Sequence, residues 1–245
     1  MEMSAMDENS VDRRFEWFVP SFGPPRFRSV MGLLFLPYTG MVLSFSVIGS
    51  VLANPIHFER VLAIVVIYFL GLGIAAHALD ALGSKGSKPW GSVLTRFQLW
   101  LMATLSLVLA YLVAIYYMVH YVPWLAFVAV CEGFFVFAYN LEWFQGRFHT
   151  DYWFAFSWGF LPALAGYIMQ TNRISLGAFV VAISMALFSI VEIKASRPYR
   201  SLRKRSNRLG DEEKALMARY EAILKGISLG TIFLGGGLLI CRILS

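Results

Sequence analysis

Long apolar stretches separated by short polar connections dominate this sequence. Seven of them are about as long as a membrane-crossing helix, at residues 29–53, 60–82, 98–121, 123–141, 152–170, 174–194 and 223–243. The hydrocarbon core of a bilayer is about 30 Å thick, and about 20 residues of helix span it. Apolar runs of this length without strict alternation favour helices over the strands of a barrel. The pattern predicts an all-α polytopic membrane protein with about seven transmembrane helices.

The composition supports an integral membrane location. Of the 245 residues, 58% are hydrophobic and only 15% are charged. A soluble domain of this length could not bury so much apolar surface. We therefore expect a multi-pass protein of the cell membrane.

The placement of the basic residues predicts the orientation. With a cytoplasmic N-terminus, all but three of the 21 Lys and Arg residues fall in cytoplasmic segments, the exceptions being Arg60, Arg173 and Arg242. The positive-inside rule then places the C-terminus outside after seven crossings. The net charge of +6 is accordingly interpreted as a topology signal and a contact with anionic membrane lipids, not as a nucleic-acid interface.

The chain is predicted to form one membrane domain. Residues 1–28 form a polar N-terminal segment that becomes aromatic and basic, which is typical of the membrane interface. Residues 29–245 form a single transmembrane helical domain. Its longest polar connection, residues 195–225, is predicted to be a basic cytoplasmic loop in which Asp211 caps a short surface helix.

Ionisable residues inside apolar stretches are costly and are therefore candidates for function. His77 and Asp80 lie near the end of the second stretch, Glu132 lies inside the fourth, and Glu192 lies near the end of the sixth. These three stretches run in the same direction, which predicts one polar cavity that faces the cytoplasm. Structural roles stay open: a helix cap for Asp80, polar packing for His77, a protonated hydrogen-bonded carboxyl for Glu132, and an ion pair with Lys194 for Glu192.

Aromatic residues are concentrated in the fourth and fifth stretches. They would suit a pocket for an apolar or polyene chain, although aromatic helices also pack against lipid. Tyr139 and Asn140 end the fourth stretch, where their polar groups would reach a ligand headgroup, and Trp158 belongs to the aromatic wall. These three residues and Glu132 are the predicted substrate-binding residues.

Three segments of the chain resemble the UbiA-type superfamily of intramembrane prenyltransferases. GLGIAAHALDALGSK stands at the place of that family's first Asp-rich motif, and SIVEIKASRPYR stands at the place of the second. AYNLEWFQGRFHTDYWFAFSWGFLPALAGY resembles the unit formed by its fourth span, basic loop and fifth span. The resemblance covers about residues 29–200 and implies a UbiA-like helical bundle, although the family has nine spans and this chain has seven apolar stretches.

The resemblance implies a site as well as a fold. In that family both Asp-rich motifs hold Mg²⁺ against the diphosphate of a polyprenyl donor. Here Asp80 and Glu192 would hold Mg²⁺, Arg147 would contact the diphosphate, and aromatic rings would shield an allylic cation. His77 replaces a family aspartate, and its imidazole would favour a transition metal in any metal site.

Three functions therefore lead on the sequence, ahead of a transporter, for which no inverted repeat is evident. The first is a UbiA-like protein that transfers or binds a prenyl lipid, such as a polyprenyl diphosphate, at a cytoplasm-facing cavity. The second is a non-catalytic membrane subunit or lipid binder with an eroded site, working with a protein partner. The third is a metal-dependent membrane enzyme of different chemistry, with metal ligands from His77, Asp80, Glu132 and Glu192.

Overall fold

The computed structural model describes residues 16–83 and 94–245, and this part of the chain folds into helices without any strand. Arg13, Arg14, Lys85 and Lys88, which contributed to the predicted orientation, lie outside the described residues. Seven long helices follow one another: α1 (Pro25–Val51), α2 (Phe58–Gly83), α3 (Arg96–His120), α4 (Leu125–Asn140), α5 (residues 151–171), α6 (Leu176–Lys204) and α7 (Asp211–Leu244).

Five of these helices are long and apolar enough to cross a membrane. They are α1, α2, α3, α6 and α7, with 25 to 34 residues each. Helix α4 is apolar but has only 16 residues, and α5 is interrupted by a π-helical segment. The described part of the chain is thus all-helical, and five of its helices suit a membrane, whereas seven crossings, the orientation, multi-pass insertion and the cell membrane stay predictions.

Three helices depart from regular α-geometry. Helix α1 breaks at Phe35, which has the left-handed φ of 43°, just before Pro37, whose missing N–H cannot continue the hydrogen-bond ladder. Helix α2 contains a π-helical segment at Phe69–Ala76. Helix α5 contains another at Phe156–Phe160. Segments of this kind are frequent at functional sites.

Helix α1 occupies the centre of the bundle and packs against α2, α5 and α7. Its backbone touches that of α5, because Cβ atoms at Gly49 and Gly166 would meet the carbonyl oxygens of Ala163 and Ser46 far inside 3.0 Å. The Ser50 hydroxyl donates a hydrogen bond of 3.2 Å to the carbonyl of Gly166. Small residues allow such close approach between membrane helices. Helices α1 and α5 therefore form a tightly fixed pair.

The helices alternate in direction, so the connections gather at two ends of the bundle. At one end, here called the site end, Gly83 of α2 lies directly against the backbone carbonyl of Asn140 in α4. At the opposite end, the His57 N–H donates to Gln170 Oε1 at 2.7 Å, and Arg242 donates to the carbonyl of Ala53. The residues predicted to face the cytoplasm and those predicted to face outside are thus separated along the bundle.

The predicted basic loop over residues 195–225 is mostly helical, which corrects the expectation from the sequence. Helix α6 continues to Lys204, and Pro198 lies inside it without ending it. Tyr199 and Leu202 are buried in this extension. The extension is stable because its apolar side packs on the bundle, even though its charged residues end the apolar stretch.

Helix α7 also differs from its prediction. Gly210, and not Asp211, is the N-cap residue, and its N–H lies 3.4 Å from Glu213 Oε2. The helix then runs without interruption to Leu244. The expected surface helix is therefore the first part of the same long helix, and residues 205–210 alone connect α6 to α7.

The described part of the N-terminal segment packs on the site end of the bundle. Glu16 is buried, and the Tyr199 hydroxyl donates a hydrogen bond of 3.0 Å to its Oε2 atom. The ammonium group of Lys225 lies 5.2 Å from the centre of the Trp17 ring. Phe18 packs against the rings of Phe35 and Tyr38 in α1. The segment thereby joins α1, α6 and α7.

Candidate functional site

A cavity opens at the site end of the bundle, between α1, α2, α4, α5 and α6. It contains about 660 Å³ free of protein atoms, part of which is open to solvent. We call it the site cavity. Its walls combine aromatic rings with acidic, basic and imidazole groups, from Phe35, Tyr38, His77, Asp80, Tyr139, Asn140, His149, Phe154, Trp158, Glu192, Ile193, Ser196, Arg197 and Arg200.

Six of the eight residues predicted from the sequence line this one cavity. They come together because α2, α4 and α6 all end at the site end, whereas α5 begins there. The six are Asp80, Glu192, His77, Tyr139, Asn140 and Trp158. The sequence-based expectation of a single polar cavity at these helix ends agrees with this arrangement, although the role of each residue is a separate question.

Arg147 and Glu132 lie elsewhere. Arg147 is exposed in the connection between α4 and α5 and does not line the cavity. The chain turns back two residues later, where the His149 ring stacks on Tyr139 at 4.5 Å and its Nδ1 atom lies 3.1 Å from the Tyr139 carbonyl. His149 therefore occupies the position expected for Arg147. Glu132 lies two turns before Asn140 and borders a different cavity.

His77 is held between aromatic rings. Its ring centre lies 5.2 Å from that of Phe35 and 5.3 Å from that of Trp158. Its Nε2 atom is 3.4 Å from the hydroxyl oxygen of Thr39, whose own hydrogen is donated to the Leu34 carbonyl at 2.6 Å. Because that hydroxyl can only accept from His77, the contact favours a hydrogen on Nε2.

Helix α6 directs one face into the cavity. Glu192, Ser196 and Arg200 follow one another at intervals of four residues, and Ile193 and Arg197 lie beside them with the same spacing. Residues four apart share a helix face. Glu192 is buried, with 5% of its surface exposed. Both arginines were missed from the sequence because the helix was expected to end at residue 194; continuing the spacing of four from Glu192 and Ile193 would have found them.

The ion pair with Lys194, the structural alternative considered for Glu192, does not form among the described residues. Lys194 Nζ lies 2.8 Å from Asp151 Oδ2, and Arg197 Nη1 lies 3.0 Å from Asp151 Oδ1. Residues two apart on a helix point in different directions, so Lys194 cannot follow Glu192 into the cavity. Asp151, the first residue of α5, instead fixes Arg197 at the cavity wall. The carboxyl and guanidinium groups that line the site cavity are thus those of Asp80, Glu192, Arg197 and Arg200.

These residues do not form a metal site by themselves. Within the described residues, no three His, Cys, Asp or Glu side chains are gathered as a metal ion requires. The four-ligand shell considered for a transition metal does not assemble, since Glu132 lies in the other cavity. Asp80 and Glu192 supply two carboxylates, and Mg²⁺ held by so few protein ligands takes the remaining ones from water and substrate phosphate. The chain alone does not fit the Mg²⁺ ions of the UbiA-type site.

Comparison with known proteins gives no relative. No family model, no curated protein and no solved structure matches this chain. The resemblance to UbiA-type prenyltransferases therefore depends on three sequence segments, and the function has to be argued from the cavity itself.

Proposed function

We propose that the chain is a UbiA-like membrane protein that binds the phosphorylated headgroup of a prenyl lipid in the site cavity. The observation that carries this proposal is the presence of Arg197 and Arg200 in one cavity with the rings of Phe35, Phe154 and Trp158. Guanidinium groups bind phosphate oxygens in pairs of parallel hydrogen bonds. Aromatic walls suit the first isoprene units of the attached chain.

The anchoring of Arg197 is compatible with this role. A guanidinium group has five N–H donors, so Arg197 can keep its 3.0 Å contact with Asp151 and still bind a phosphate oxygen. Fixing the side chain beforehand lowers the entropy lost on binding. Arg200 lies one turn nearer the end of α6 and adds a second positive charge. Together the two guanidinium groups attract an anionic headgroup.

The proposal includes seven crossings with a cytoplasmic N-terminus and an outside C-terminus, in the cell membrane. The site end, with its basic residues, then faces the cytoplasm. Helices α4 and α5 would cross together with the five longer ones. A phosphorylated headgroup reaches the cavity from this side while its prenyl chain stays in the bilayer.

Prenyl transfer is the second candidate, favoured by the presence of Asp80 and Glu192 in the same cavity. In this reaction the bond between C1 of the prenyl chain and the diphosphate oxygen breaks, and the diphosphate leaves with the electron pair. C1 then bonds to an acceptor, which loses a proton. The ring of Trp158 would attract the allylic cation, and Arg197 and Arg200 would take the charge of the diphosphate.

Binding of radiolabelled farnesyl diphosphate to the purified full chain in detergent tests the proposal. Arg200→Ala should weaken binding by about tenfold or more, since a hydrogen bond to a charged group contributes about 1.5–3 kcal/mol. The matched control is Arg219→Ala, which removes the same charge from an exposed position on α7. Equal binding by the wild type and Arg200→Ala would contradict the proposal.

The same preparation separates the two candidates. Binding that persists without release of diphosphate, with and without added Mg²⁺ and with candidate acceptors, supports a lipid binder. Release of diphosphate that requires an acceptor and is lost in Asp80→Asn supports transfer, because the amide keeps the shape of the side chain and removes its charge. Failure to bind any phosphorylated prenyl lipid would contradict both lipid binding and prenyl transfer.

A further inference from the structure

A second cavity lies in the apolar middle of the bundle, between α2, α3 and α4. It contains about 540 Å³ free of protein atoms, and its walls are mainly aliphatic, including Ile64, Leu107 and Val128. Gly71 and Leu107 are only partly buried. The cavity therefore opens on the side of the bundle, at the level of the apolar helices. We call it the lateral cavity, and it shares no lining residue with the site cavity.

One acidic group faces this apolar space. Glu132 lies midway along α4, and the Tyr68 hydroxyl donates a hydrogen bond of 3.0 Å to its Oε1 atom. Its Oε2 atom is shielded from solvent and has no hydrogen-bond partner among the described residues. The hydrogen of the nearby Tyr111 hydroxyl is used in a bond of 2.8 Å to the Ala129 carbonyl. A buried carboxyl with an unused oxygen is costly unless a ligand completes its hydrogen bonds.

We propose that the lateral cavity binds an apolar molecule from the bilayer that carries a single hydroxyl group, with the hydroxyl bonded to Glu132 Oε2. A hydroxyl both donates and accepts, so it can pair with this carboxyl in either protonation state. The carboxyl turns about its terminal bond to expose Oε2, a rotation with a broad range of allowed angles. A phosphorylated headgroup is excluded because the aliphatic walls could not satisfy its charge.

The lining and the entrance of the cavity agree with such a ligand. Apolar walls with a few polar groups are typical of sites for small organic molecules. A Cβ atom added at Gly71 would meet no atom within 4 Å, so the wall is open at that point. Farnesol, an isoprenoid alcohol, has the required single hydroxyl. Farnesene has the same carbon skeleton without the hydroxyl and serves as the matched hydrocarbon.

Photolabelling with a diazirine analogue of farnesol tests the proposal on the purified full chain in detergent. Mass spectrometry should map the label to α2, α3 and α4 around the lateral cavity. Unlabelled farnesol should suppress labelling at a roughly tenfold lower concentration than farnesene, because only the alcohol completes the hydrogen bonds of Glu132. Glu132→Leu keeps a similar side-chain volume without the carboxyl. In this variant the ratio of the farnesene and farnesol concentrations that suppress labelling should fall to about one.

A second pair of variants tests the cavity independently of the acid. Gly71→Leu fills the open wall and should abolish labelling, whereas Gly230→Leu places the same side chain in equally open space on α7 and should leave it unchanged. Label found only in the site cavity, equal competition by farnesene and farnesol, or undiminished labelling of Gly71→Leu would each overturn the proposal. If Glu132→Leu does not fold, the two glycine variants still test whether the ligand binds in the lateral cavity.

Discussion

Replacement of Gly166 by alanine should loosen the centre of the bundle. The new Cβ atom would overlap the carbonyl oxygen of Ser46 and crowd the amide nitrogen of Ser50 in α1. Both are backbone atoms, which cannot rotate away, so α1 and α5 have to separate. Overpacking of this kind costs about 1–3 kcal/mol, and the weakened hydrogen bond from the Ser50 hydroxyl adds about 1 kcal/mol. Alanine is more favourable than glycine inside a helix, which offsets about 0.5–1 kcal/mol of this loss.

The expected net loss is therefore about 2 kcal/mol of folding free energy. The matched control is Gly230→Ala, because Gly230 lies inside α7 and a Cβ atom there meets nothing within 4 Å. This variant should gain about 0.5–1 kcal/mol from helix propensity alone. The same substitution thus has opposite signs at the two positions. Equilibrium unfolding in mixed detergent micelles measures both variants against the wild type.

Two results would refute this reasoning. One is a Gly166→Ala protein as stable as the wild type, which would mean that α1 and α5 are not in backbone contact. The other is an equal loss in Gly230→Ala. Because Tyr38 on α1 and Trp158 on α5 both line the site cavity, Gly166→Ala should also weaken farnesyl diphosphate binding, while Gly230→Ala should leave it unchanged.

Three further predictions concern the site end. Tyr199→Phe removes the 3.0 Å hydrogen bond to buried Glu16, which should cost about 1–3 kcal/mol and speed proteolysis of the N-terminal segment. His149→Ala removes the ring stacked on Tyr139 at 4.5 Å and should lower farnesyl diphosphate affinity several-fold with little change in thermal stability. In a chain whose native cysteines are replaced by serine, a cysteine at Arg205 should react with an impermeant thiol reagent only from the cytoplasmic side; labelling from outside would contradict the proposed orientation.

The pattern of apolar residues predicts the positions of helices better than their ends. The second stretch was predicted at residues 60–82 and the helix is Phe58–Gly83; the fourth was predicted at 123–141 and the helix is Leu125–Asn140. Helix α6, however, runs ten residues beyond its apolar stretch to Lys204. Hydropathy reports where a helix would meet lipid, and it does not report where a helix ends once Tyr199 and Leu202 pack against the bundle.

The residues of the site cavity were also only partly predictable from the sequence. Asp80 and Glu192 could be found from the sequence because acids near the ends of apolar stretches are rare, and both line the same cavity. Arg197 and Arg200 were assigned to topology, since basic residues after a span usually serve that purpose. Glu132 was placed with the other acids because a sequence gives the depth of a residue along its helix and not the neighbour it faces. That neighbour, Tyr68, belongs to a different helix.

The π-helical segments are independent evidence that the two cavities are functional sites. A regular α-helix has better hydrogen-bond geometry than a π-helix, so π-segments persist where side chains must be aimed at a site. In the described chain the segment Phe69–Ala76 begins directly after Tyr68 at the lateral cavity and ends directly before His77 at the site cavity. The segment Phe156–Phe160 contains Trp158. Helices α3, α4 and α6 line a cavity without such a segment. Both π-helical segments thus lie next to or contain residues that line the cavities, and they set the angles at which Tyr68, His77 and Trp158 point inward.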